Sequence, residues 1–220
     1  MNETNTTVLS KAPLQFLLAM SRPYTGWAIV ATSFSIIAQT LSTSVAYVFK
    51  GVVDSATNFS NGTEQFTTLL LWVIAYPVVI AVAELMWRSS GFCGMQWVTG
   101  LKKTAYASMF EYLSRHSHAF FSKRFAGSLG SSINNATGGL GTLVESFLWN
   151  YLPTLIAAIV TVIFATFTNI YLGLVFLAWL SVIVPVNIIY AKRIARYSEA
   201  SASNRSKLGS AGRRARGNRQ

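Results

Sequence analysis

The chain has 220 residues, of which 52% are hydrophobic and 11% charged, and its mean hydropathy is +0.41. A soluble domain carries about 25% charged residues, so most of this chain cannot face water on all sides and a water-soluble globular class is excluded. The formal net charge is +11. Its basic residues are scattered over three separate segments, which argues for a lipid bilayer as partner and against nucleic acid.

Met1–Ser10 is polar and rich in Asn and Thr, the composition of a disordered start. Pro13 then opens Leu14–Met20, and Arg22-Pro23 closes it. Proline suits a helix start and disfavours helix at the residue before it. Residues 1–23 therefore read as a cytoplasmic N-terminus with an interfacial elbow helix on the inner leaflet. A plain extension of the first span is the alternative.

Four windows are predominantly apolar: Tyr24–Phe49, Phe66–Trp87, Phe147–Phe167 and Tyr171–Ala191. Each can cross hydrocarbon of about 30 Å, which takes roughly 20 helical residues. The runs are continuous rather than alternating, which predicts helices and not a barrel. None has an internal Lys or Arg, and Glu84 is the one acid inside a window. In the first window Thr32, Ser35, Gln39, Ser42 and Ala46 recur at helical spacing. In lipid such a stripe faces other helices or water. Helix packing and the lining of a substrate path both remain open.

Lys50–Gln65 is expected as an external loop. It holds two glycosylation sequons, at Asn58 and Asn61, a pattern common by chance. Pro77 predicts a kink in the second span. Beyond Arg88, Phe92, Met95, Leu101, Ala105, Met109 and Tyr112 keep near-helical spacing. The second span should thus continue as helix to Ser114, about 40 Å further at roughly 1.5 Å per residue. Gly91, Gly94 and Gly100 oppose this by about 1 kcal/mol each relative to Ala. A second helix returns through Ile133, Leu140, Leu143, Val144 and Phe147, so residues 88–146 form a helical hairpin. Its turn, His116–Gly127, carries Phe120, Phe121 and Phe125 beside Lys123 and Arg124. Exposed aromatics in such a place are costly unless a partner covers them.

In the fourth window Asn187, just after Pro185, offers an interhelical hydrogen bond or a substrate contact. A basic stop follows Ala191, and residues 209–220 read as a disordered Arg/Gly tail. All but Lys50 of the 18 Lys and Arg fall on one side of this arrangement. The positive-inside rule then makes both termini and the hairpin cytoplasmic, in a multi-pass protein of the plasma (inner) membrane.

Candidate chemistry is sparse. Cys93 has no partner for an internal disulfide and reads as a small buried side chain. His116 and His118 lack a third ligand, so no metal site is expected. Glu84 and Glu145 lie near the cytoplasmic boundary, where snorkelling or pairing with Arg88 suffices for them. No Ser/His/Asp or Cys/His set is present, so the chain is expected not to be an enzyme.

Between spans two and three, Phe120-Phe121, Ser122-Lys123-Arg124-Phe125, Gly127-Ser128-Leu129 and Ile133 resemble the transmembrane domain of type I ABC exporters. The resemblance implies an all-α integral membrane fold: four transmembrane helices with long cytoplasmic helical extensions, a partial exporter domain over residues 24–208. It implies that Phe121–Ser128 is a coupling helix. Phe120, Phe121, Ser122, Lys123, Arg124, Phe125 and Gly127 would then dock on a nucleotide-binding domain. It also implies a substrate path that takes in Thr32, Ser35, Gln39, Ser42 and Asn187, and a second half-transporter as dimer partner. ATP and Mg would belong to the nucleotide-binding domain, with no cofactor in this chain, because the sequence holds no GxxxxGK[ST], the phosphate-cradling loop. The chain departs from the family pattern at Asn134-Asn135, where many members carry an Asp. The family also continues with two more spans and an ATPase domain, so a truncated or frame-shifted product, inactive alone, is expected. A four-span membrane scaffold that binds a partner, and a small channel or carrier, are the alternatives.

Overall fold

A computed structural model of the chain describes residues 13–63, 65–114 and 126–191. Among them every regular element is helical. Helix α1 (Pro13–Ser21) passes through a 3-10 turn (Arg22–Tyr24) into α2 (Thr25–Ser60). Helix α3 spans Phe66–Ser114. Helix α4 (Ala126–Ser146) runs through one π-helical turn (Phe147–Tyr151) into α5 (Leu152–Thr168), and α6 ends the described chain at Ile170–Ala191. Four helical stretches are long and apolar enough to cross a membrane.

Pro13 opens α1, as its missing N–H allows. The Thr25 hydroxyl donates to the Arg22 carbonyl at 2.8 Å, which secures the bend after Pro23.

Helix α2 is longer than expected. It continues through Lys50 to Ser60, so the anticipated loop Lys50–Gln65 shrinks to Asn61–Gln65. The cause is packing against α3. Phe49 meets Tyr76 with ring centroids 5.8 Å apart, Phe59 meets Phe66 at 5.9 Å, and Gly51 lets the Trp72 indole lie against the backbone. Gly62 then turns the chain with φ of 72°, the left-handed region that glycine enters without steric cost. Thr63 donates both its N–H (3.0 Å) and its hydroxyl (2.9 Å) to the Asn58 carbonyl and closes the turn.

Helix α3 is continuous over 49 residues, with Pro77 accommodated inside it. At a rise of roughly 1.5 Å per residue its length is about 70 Å. Two of its glycines mark close approach. A Cβ on Gly94 would stand 2.6 Å from Leu148 Cδ2, and one on Gly100 would strike the Tyr24 ring. Gly91 has open space around it. The helix-propensity cost at Gly94 and Gly100 is thus offset by contacts that only glycine admits.

The core sits around the second half of α3. Phe16 and Met20 of α1 cover Trp97, Val98, Leu101 and Ala105, and α4 adds Leu140 and Val144. A smaller cluster joins Ala31, Cys93 and Leu148, so Cys93 is the buried side chain that was expected.

Side-chain hydrogen bonds set the relative levels of these helices. Ser90 of α3 donates to the Ala31 carbonyl of α2 at 3.0 Å, and Ser35 of α2 donates to the Leu148 carbonyl at 3.2 Å. The end of the second apolar window and the start of the third are therefore level with Ala31–Ser35. Tyr24 lies further along, with its hydroxyl 3.3 Å from that of Thr104. A span needs only about 20 residues, so the excess length of the first window runs beside the polar stretch of α3 that follows Arg88.

The chain divides into two compact units after Thr161. In the second, α5 gives way to α6 at Asn169. Its side-chain carbonyl accepts the Tyr171 N–H at 2.9 Å, an N-cap for α6. Gly173 packs on Thr166.

Candidate functional site

The expected docking turn is only partly described. Phe120, Phe121, Ser122, Lys123, Arg124 and Phe125, together with His116 and His118, lie outside the described residues, as do residues 1–12 and the tail from residue 192. Gly127 falls in the first turn of α4. What the structure does describe is the pair of helices that carries this turn.

Helices α3 and α4 meet along an apolar seam. Val98 and Leu101 are 1% and 0% exposed, and Ile133, Leu140 and Val144 are buried opposite α3 or beside it. Thr137, also buried, satisfies its hydroxyl on the Ile133 carbonyl at 2.9 Å. Asn134 and Asn135 are exposed.

Among the described residues an ion pair bridges the two helices: Lys102 Nζ to Glu145 Oε1, 3.0 Å, with side chains 41% and 35% exposed. Pairing with Arg88 was one of the two arrangements expected for Glu145, snorkelling the other. That pairing fails because Arg88 and Lys102 stand on the same helix, separated by about 20 Å along its axis. The Lys102 stem lies directly over Gly141, which leaves it room. An ion pair so open to solvent contributes at most about 1 kcal/mol, so burial along the seam holds the hairpin and the pair sets its register.

The stripe on α2 divides when its contacts are followed. Ser35 is fully buried and bonds across to Leu148. Thr32 donates to its own helix at the Ala28 carbonyl (2.7 Å), and Gln39 Nε2 donates to Thr43 Oγ1 (3.1 Å). Ser42 is half-buried and Ala46 exposed. In α6, Asn187 is exposed and donates to the Ile183 carbonyl one turn back at 3.0 Å, a bond within its own helix and not across helices.

The π turn was not foreseen. Pro153 has no N–H, and its ring clashes with the carbonyl four residues before it. The chain relaxes this by widening the preceding turn, so that the Leu152 N–H bonds to the Phe147 carbonyl. The Leu148 carbonyl, which an α-helix would pair with Leu152, is released and accepts from Ser35. The sequence signal was Pro153 itself, inside an apolar window.

Among the described residues no group of three or more His, Cys, Asp or Glu could hold a metal ion. The residues brought together are those that pack a hairpin and set its register; among the described residues none forms a nucleophile–base arrangement.

Residues 28–215 match the family model described as ABC transporter transmembrane region. No curated protein sequence matches the chain.

Proposed function

This chain belongs to the ABC transporter transmembrane family, whose multi-pass members pair with nucleotide-binding domains in a lipid bilayer, and from that premise we propose that it is the membrane-spanning part of an ATP-driven exporter. The observation that carries the reading is the family match together with the α3–α4 hairpin. Helix α3 continues about 40 Å past Arg88 before it ends. A membrane helix pair of that reach carries its turn well outside the hydrocarbon, where a soluble domain can engage it.

In this reading the turn docks on the nucleotide-binding domain through Phe120, Phe121 and Phe125, with Ser122, Lys123 and Arg124 at the rim and Gly127 releasing the chain into α4. ATP and Mg are held by that domain, and two half-transporters form the working dimer. The hairpin and both termini face the cytoplasm, and the plasma membrane is the site of action. Thr32, Gln39 and Ser42 supply polar surface along the substrate path. Ser35 contributes indirectly, by fixing α2 against the π turn. The chain's own part is mechanical and not catalytic.

The test uses the purified full chain and a separately supplied cognate nucleotide-binding domain. Phe121→Ala should weaken their association more than about tenfold, as removal of a central aromatic anchor does. Unchanged binding would remove the docking assignment.

A further inference from the structure

A cavity of about 730 Å³ opens between α1, α2, α3 and the π turn that joins α4 to α5. That volume lies within the range of roughly 300–1,000 Å³ typical of ligand sites. Its walls are apolar: Leu18 from α1, Leu143 from α4, and Phe147 and Tyr151 from the π turn, with Trp97 of α3 beneath. Leu18, Leu143, Phe147 and Tyr151 remain 66%, 56%, 47% and 71% exposed, so the described chain does not cover them itself. The Trp97 indole N–H is satisfied by the Ser21 hydroxyl at 3.3 Å, which holds the base of the cavity in place.

The charge on this cavity is one-sided. Among the described residues Arg22 is the only charged one in the lining. No described carboxylate lines it, and Arg22 makes no ion pair among the described residues. Arg22 lies two residues before Tyr24, where the first apolar window begins, and Phe147 opens the third. The cavity thus joins an apolar slot to a single cation where the chain passes from polar to apolar sequence, on the side that carries nearly all of its basic residues.

We propose that this cavity binds one anionic phospholipid from the leaflet on the basic side of the membrane. The headgroup phosphate meets the Arg22 guanidinium, whose planar fork of donors matches phosphate oxygens. An acyl chain lies against Leu18, Leu143 and Phe147. A free phosphate ion would leave these walls in water, and a zwitterionic lipid would bring its own cation towards Arg22. An anionic lipid satisfies both the slot and the charge. The inference needs the chain to lie in a bilayer, but it does not depend on ATP coupling or on the direction of transport.

Native mass spectrometry of the full chain in mild detergent, with phosphatidylglycerol or phosphatidylcholine added, tests this. A single saturable adduct is expected, favouring phosphatidylglycerol about fivefold, the effect of one interfacial cation. Arg22→Gln should erase the preference while Arg22→Lys keeps most of it, which separates loss of charge from misfolding. Leu143→Trp should fill the slot and reduce retention of both lipids. Equal retention of the two lipids by the unmodified chain would overturn the proposal, as would a preference that survives Arg22→Gln. Displacement of the adduct by millimolar inorganic phosphate would overturn it too, by showing that the slot contributes nothing. A lipid-free dimer would assign the groove to a second copy and refute the lipid site.

Discussion

Replacing Gly100 with Ala should destabilise the protein, although the same change at Gly91 should stabilise it. In open surroundings Gly→Ala inside a helix gains up to about 1 kcal/mol, and Gly91 has nothing within 4 Å of where its Cβ would be. At Gly100 the new methyl strikes the edge of the Tyr24 ring at three carbons. That ring cannot swing away freely. It packs on the buried cluster around Trp97 and Leu101, and its hydroxyl meets Thr104 at 3.3 Å. Overpacking of this kind costs about 1–3 kcal/mol, and a lost hydrogen bond about 1 kcal/mol more. With the helix-propensity gain set against these costs, the net expectation is a loss of about 1–3 kcal/mol for Gly100→Ala, compared with a gain of up to about 1 kcal/mol for Gly91→Ala. Thermal unfolding in detergent, followed by tryptophan fluorescence, would register this as melting shifts of opposite sign, about 2–4 °C per kcal/mol. In a Tyr24→Ala background the penalty should vanish and Gly100→Ala should become stabilising. Equal stabilisation at both glycines in the unmodified chain would refute the claim that Tyr24 is seated on Gly100.

Ser35→Ala should strand the Leu148 carbonyl that the π turn releases, at a cost of about 1 kcal/mol. In a Pro153→Ala background, where an ordinary turn can reclaim that carbonyl, the cost should fall towards zero, and equal costs in both backgrounds would disprove the link. The exposed Lys102–Glu145 pair should show a coupling below about 1 kcal/mol in a Lys102→Met, Glu145→Gln double-mutant cycle, and less at high salt. A coupling of several kcal/mol would mean that the pair, and not the apolar seam, holds the hairpin.

The helices were legible because their signals are long. An apolar window of roughly 20 residues or more outweighs local exceptions, which is why Pro77 and the glycines of α3 did not break that helix. The hairpin was legible from Leu101, Ala105, Leu140 and Val144, whose spacing reports a buried face, and all four are buried. The C-terminal end of α2 was misread because Lys50 and the sequons look like a loop; only the facing rings of α3 show why helix wins there. That Lys102 pairs with Glu145 was not legible, because sequence proximity to the boundary says nothing about register between two helices. The proposed docking motif rests on resemblance alone, since its aromatics have no periodic pattern and lie outside the described residues. The same need for more than local pattern holds for the cavity beside Arg22, whose walls come from separate segments brought together in space.

Pro77 is the last proline of α3, so the helix runs from Val78 to Ser114 with no backbone break. A rod of that kind is a lever, and Gly94 and Gly100, pressed against Leu148 and Tyr24, are its fulcrum. Ser114 stands about 25 Å from that point at roughly 1.5 Å per residue, so a tilt of about five degrees displaces it by roughly 2 Å. The opposite arm must move in the reverse sense. Small movements at Ser114 are therefore felt, inverted, at the Val78 end of this stretch.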